Sequence, residues 1–145
     1  GDGGRRVSDV SAPLRLPQVM LDEIVAHTLQ EWPRECCGLI GGIDGDAKEL
    51  RRMTNTDPGT TFYMMDDKEL FRAYRDFDEQ GWGMHVIYHS HPVSVAYPSK
   101  TDISLAAWPE AYYLICSLED KANPSLRAFR IIDNAVTEVE VQSRK

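Results

Sequence analysis

The chain is 145 residues long, 42% hydrophobic and 27% charged, which fits one globular domain with a substantial core. A net charge of −7, with no basic block or stripe, argues against a nucleic-acid partner. No apolar run approaches the roughly 20 residues of a membrane helix, and the opening Gly, Asp and Arg residues lack the basic-then-apolar order of a signal peptide.

Residues 1–13 show no hydrophobic periodicity and are expected to form a flexible arm ahead of a single domain over residues 14–142. A helix is expected from Pro17, a residue suited to a first turn, because Met20, Leu21, Ile24, Val25, Thr28 and Leu29 recur at helical spacing. It should stop before Pro33. Residues 37–43 read as a buried strand, Asp44-Gly45-Asp46 as a turn and residues 49–54 as a second strand, with a loop to residue 61. Residues 66–80 read as an amphipathic helix with Leu70, Phe71, Tyr74 and Phe77 on one face, ended by Gly81. A strand over 84–89, a loop over 92–98 and a short helix over 101–108 stopped by Pro109 come next. Strands over 111–117, 126–132 and 135–141 complete the chain, the last two joined by a tight Asp133-Asn134 turn. The sum is an α/β domain: one mixed sheet of about six strands, a usual size, covered by three helices.

Three cysteines, two of them adjacent, make a poor disulfide framework and fit a reducing, cytoplasmic setting. Cys37 and Cys116 lie in apolar runs and are expected in the core. Cys36 is left open as a nucleophile, against the more common role of an inert buried thiol.

The chemistry concentrates in His89-Ser90-His91-Pro92 and the following Tyr97-Pro98-Ser99-Lys100-Thr101-Asp102. Two histidines two apart share one face of a strand, about 6.6–6.8 Å apart along it, close enough to share an ion. With Asp102 at a helix start they give three ligands, a set suited to a catalytic zinc that keeps its fourth position open. Ligand type and availability favour zinc over other divalent ions. The spacing arises by chance in roughly one chain in a hundred of this composition, and Ser99-x-x-Asp102 alone reads as a capping box. Ser90 points to the other face. His85 lies about 13 Å from His89 along the strand, and both it and His27 read as structural. Zinc would bring the pKa of a bound water toward neutrality, and attack on a carbonyl then needs a general base. Periodicity cannot choose among ten glutamates. Glu35 is the best local candidate, because it sits just before a buried strand. Ser99 is either an oxyanion donor or a helix cap, and the residues leave that choice open. His-Glu-x-x-His, the zinc deaminase signature, Gly-x-Ser-x-Gly and phosphate-cradling glycine loops are all absent.

Glu35-Cys36-Cys37-Gly38-Leu39-Ile40-Gly41-Gly42, His89-Ser90-His91-Pro92 and Pro98-Ser99-Lys100-Thr101-Asp102 together resemble the JAMM (MPN+) metalloprotease signature. The likeness runs from about residue 14 to 140, and Asn55 with Thr60-Thr61-Phe62-Tyr63 is similar to the bacterial, Mec-like branch. The resemblance implies a cytidine-deaminase-like (JAB/MPN) fold and zinc held by His89, His91 and Asp102. It implies Glu35 as general acid/base and Ser99 as oxyanion stabiliser. The implied activity is cleavage of an amide bond after the C-terminal Gly-Gly of a ubiquitin-like sulfur carrier, releasing cysteine or another small adduct. A general prokaryotic ubiquitin-like deconjugase and a non-catalytic MPN-type docking module are the alternatives.

Overall fold

The structure, a computed structural model, describes residues 7–145. Of the expected arm, residues 1–6 lie outside the described residues. Val7–Ser11 forms a 3-10 turn, and the Tyr112 hydroxyl donates to the carbonyls of Ala12 and Pro13, so residues 12 and 13 are tied to the sheet rather than loose.

The first strand, β1 (Leu14–Pro17), leads directly into helix α1 (Gln18–Glu31). The helix ends where the Trp32 N–H bonds the Thr28 carbonyl, just before Pro33, which cannot continue it. Strands β2 (Cys37–Ile43) and β3 (Asp46–Met53) form a hairpin, and helix α2 (Asp67–Glu79) follows. Strand β4 (Gly83–His91), helix α3 (Lys100–Leu105) and strands β5 (Tyr112–Ser117), β6 (Ser125–Ile132), β7 (Ala135–Val139) and β8 (Val141–Arg144) complete the fold.

Six strands form one mixed sheet in the order β3-β2-β4-β5-β6-β7, in which only β4 and β5 run parallel. Alternation along these strands sends side chains to two cores. On one face Leu39, Ile87, Tyr113, Ile115 and Phe129 pack with Ala73 and Phe77 of α2. On the other, Ile40, Val86, Tyr88 and Leu114 pack with Leu21 and Ile24 of α1. Among the described residues, no helix is long and apolar enough to cross a membrane.

The expected six-stranded mixed sheet and three helices are present, with four corrections. A second, two-stranded parallel sheet joins β1 to β8. Its strands are four residues each, too short for a periodic signal, although Leu14 and Leu16 are fully buried. The expected strand over 135–141 is therefore split, with Glu140 accepting from the Leu14 N–H as the chain changes partner. In α2 the buried residues are Ala73 and Phe77, while Phe71 is 65% exposed and Tyr74 leans on Trp108 at 5.3 Å. The small Ala73 lets the helix sit close to the sheet, which turns Phe71 outward. In α1 Leu29 is exposed, and His27 and Thr28 are buried beside Leu21 and Ile24.

Candidate metal centre

The β4 strand delivers His89 and His91 to the same face at its C-terminal end, and α3 brings Asp102 over them in its first turn. The helix start is fixed by a full capping box. Ser99 Oγ accepts from the Asp102 N–H at 3.0 Å, and an Asp102 carboxylate oxygen accepts from the Ser99 N–H at 2.8 Å. The same oxygen, Oδ2, lies 3.1 Å from both His89 Nε2 and His91 Nε2, and the two nitrogens are 3.2 Å apart. Ser90, on the opposite face, accepts from the Cys36 N–H.

The chemistry of these donors fits a cation. The Val95 carbonyl lies 2.8 Å from His91 Nδ1 and can only accept, so Nδ1 carries the proton and Nε2 presents a lone pair. With a cation in place of any proton that the histidines share with Asp102, three electron-pair donors converge on one point. A tetrahedral zinc with bonds of about 2.0–2.1 Å sets its ligand atoms about 3.3–3.4 Å apart, close to the spacing present here. Burial pushes the His89 pKa down, which favours the neutral, ligating imidazole. Burial also works against charge on His91, but the hydrogen bonds to Asp102 and Val95 outweigh it and raise its pKa. Burial likewise opposes charge on Asp102, yet its histidine hydrogen bonds hold the carboxyl well below the usual carboxylate range. His89 Nδ1 is buried without a hydrogen-bond partner among the described residues. That ring is placed by packing instead: Tyr63 stacks on it, centroids 4.6 Å apart and planes 24° apart.

Glu35 is 5% exposed, one residue after Arg34 and two before β2. Burial, offset in part by His91 and reinforced by Asp102, pushes its pKa up to about 7. Its backbone is anchored by Asn55, whose amide donates to the Glu35 carbonyl at 2.9 Å, while Arg34 donates to the Asn55 and Asp57 carbonyls. An apolar cleft of about 240 Å³ opens beside Asp102, between Tyr63, Met64, Leu105 and Trp108 with Ile87 behind them.

His85 and His27 lie outside this cluster. His27 Nδ1 meets the Tyr88 hydroxyl at 2.8 Å, and His85 packs edge-on to Tyr112. All three cysteines are buried, and burial raises the thiol pKa of each, Cys116 to about 11, so none is an activated nucleophile. Residue reasoning missed the Tyr63 stack and the Val95 carbonyl. Neither lies in a periodic element, and a carbonyl ligand of a histidine ring has no sequence signal.

A sheet carrying two histidines at a strand end, roofed by a helix that supplies the carboxylate, defines a JAB/MPN-type domain. A family model described as prokaryotic homologs of the JAB domain matches residues 17–132. The chain is 39% identical over 124 residues to the CysO-cysteine peptidase of Mycobacterium tuberculosis, covering 84% of this chain and 85% of that protein. It is 35% identical over 105 residues to a probable TtuB-protein conjugate cleaving protease of Thermus thermophilus, covering 70% and 68%. The solution structure of a Desulfitobacterium hafniense protein superposes with a TM-score of 0.79 at 33% identity, covering 90% of this chain and 92% of that one. A JAB1/MPN domain protein from Archaeoglobus fulgidus shares the fold, with a TM-score of 0.59 at 19% identity over 89% and 99% of the two chains. The chain belongs to the prokaryotic JAB family.

Proposed function

We propose that this protein is a zinc-dependent peptidase that hydrolyses the amide bond after the C-terminal Gly-Gly of a ubiquitin-like sulfur carrier and releases cysteine or another small adduct. The observation that carries the reading is the convergence of His89 Nε2, His91 Nε2 and Asp102 Oδ2 near a buried carboxyl, Glu35, with a pKa of about 7. In this reading His89, His91 and Asp102 hold zinc, which supplies Lewis acidity toward water and toward a carbonyl oxygen. Glu35 takes a proton from the attacking water and returns it to the leaving amine nitrogen, a task suited to a group that titrates near neutral pH. Ser99 uses a lone pair of Oγ for the helix cap, so its O–H remains free to donate to the carbonyl oxygen as charge develops there. Capping and oxyanion stabilisation are therefore compatible roles.

The cleft beside Asp102 offers an apolar course for an extended carrier tail, lined by Met64 and Leu105 at its mouth. The relative that acts on CysO-cysteine supports a small amino-acid leaving group. The relative described as cleaving TtuB-protein conjugates supports a second reading, in which the leaving group is a lysine of another protein. We place the activity in the cytoplasm, in keeping with three unpaired cysteines.

Intact-mass analysis of a carrier ending in Gly-Gly-Cys, with and without chelator, tests the proposal. Chelator-sensitive loss of the terminal cysteine alone is expected. A zinc-loaded preparation that leaves Gly-Gly-Cys intact but cuts an isopeptide conjugate would favour the second reading. Cleavage of neither would leave a docking module.

A further inference from the structure

One buried hydroxyl outside the ligand set reaches the metal centre through the backbone. Ser117, the last residue of β5, is 3% exposed and lies opposite His91 in the parallel register of β4 and β5. Its Oγ donates to the Ser94 carbonyl at 2.6 Å and accepts from the Glu119 N–H at 3.0 Å. Both bonding directions of the hydroxyl are thus used, one on the 92–98 loop and one on its own turn. The next residue, Leu118, donates its N–H to the His91 carbonyl at 3.1 Å. The β5 end therefore grips both the histidine's backbone and the loop that folds back over its ring.

Ser94 directly precedes Val95, whose carbonyl receives His91 Nδ1–H and also the Tyr97 N–H, each at 2.8 Å. Peptide planarity couples neighbouring carbonyls through only two soft torsions, so fixing the Ser94 carbonyl restricts where the Val95 carbonyl points. A carbonyl on Nδ1 selects the tautomer with its lone pair on Nε2, the nitrogen turned toward His89 and Asp102.

We infer that Ser117 is a positioning residue for His91: by pinning Ser94 it holds the Val95 carbonyl on Nδ1 and so keeps the Nε2 lone pair aimed at the metal position. The inference rests on the reading of His91 as a ligand. It differs from a merely structural role, in which Ser117 starts the turn at Glu119 and nothing more.

Two measurements test it on the whole chain. The first is nitrogen-15 NMR of the histidine rings in metal-free wild-type, S117A and S117T proteins, at a pH high enough for the His91 ring to be neutral, which reads the His91 tautomer without reference to zinc or turnover. The second is zinc affinity by competition with a chromophoric chelator. Removing an outer partner of a ligating histidine costs about 10–100-fold in metal affinity, and Ser117 acts one step further out, so about 10-fold is expected for S117A. The same variant should lose the single Nδ1–H tautomer of His91, and S117T, which keeps the hydroxyl, should restore both. The amide spectrum away from the two loops shows whether S117A is folded. The inference is overturned if folded S117A keeps the wild-type His91 tautomer, whether or not its zinc affinity changes. A wild-type chain that binds no zinc would instead sink the proposed function, while the tautomer comparison would still decide the role of Ser117.

Discussion

Burial makes Glu35 a weaker acid than an exposed carboxyl, about 7 against an ordinary 4.5. A group so placed can take a proton and give it back near neutral pH. Glu35→Gln keeps the size and removes the exchangeable charge. Zinc content should stay at the wild-type level, because the ligands are untouched, while kcat/KM for the Gly-Gly-Cys carrier falls at least about 10²-fold, the usual contribution of a positioned base. Metal analysis beside the mass assay reads both quantities, and turnover at the wild-type rate would remove Glu35 from the role of base. From the residues alone Glu35 was only one of ten glutamates, singled out by its place before a strand and by the resemblance. Its burial depends on the Asn55 amide and the Arg34 guanidinium gripping the neighbouring backbone, contacts that join residues about twenty apart and leave no local pattern. The histidine pair was more legible. A two-residue period on a strand dictates a shared face; the structure added how closely the ring nitrogens meet and the groups that place the rings, Tyr63 and the Val95 carbonyl.

The centre also depends on how tightly β2 lies against β4. Gly38 of β2 faces Tyr88 of β4 so closely that an added Cβ would overlap the phenol ring. The ring has little freedom to move, since it is fully buried and its hydroxyl is held by His27. Gly38→Ala should therefore destabilise by about 1–3 kcal/mol, the cost of overpacking a filled core. Chemical denaturation would show it as a lower midpoint with an unchanged slope; a midpoint equal to that of the wild type would mean that the strands can separate at little cost. The glycine was visible in the sequence as part of a motif, but not its reason, because close approach is a property of two strands. The same limit explains the other misses at this scale. Strands β1 and β8 find each other across more than a hundred residues and are four residues long. The α2 stripe included Phe71 because hydrophobicity was read without size, whereas the sheet accepts Ala73 at the closest point and leaves Phe71 in solvent.

For the molecule as a whole, two histidines outside the metal centre link folding to pH. Burial lowers the pKa of His27, reinforced by Arg52 and opposed by Glu31 and Glu23. Burial also lowers that of His85, with Asp46 opposing. Each ring is thus held neutral in the fold, while in the unfolded chain it titrates near 6.5. Below that value the unfolded state binds more protons than the native state, so stability rises with pH through this window. The contribution is fully present above pH 6.5 and is lost as pH falls from there through the lowered native values. Each such group can add a slope of up to about 1.4 kcal/mol per pH unit. Most carboxylates protonate only lower, near their ordinary pKa of about 4, but Glu35, held at about 7 in the fold, takes up its proton in the same window and contributes the opposite slope, so the histidine contribution is read as a difference between wild type and a histidine variant. His27→Gln preserves a polar partner for the Tyr88 hydroxyl and removes the titration. Thermal unfolding of the metal-free protein should show the melting temperature of wild type, taken relative to that of His27→Gln, falling between pH 7 and 5.5, because Glu35 contributes alike to both proteins and only the His27 titration differs. Parallel curves for the two proteins would mean that His27 takes up its proton in the fold as readily as in the open chain, and that the bond to Tyr88 does not depend on a neutral ring.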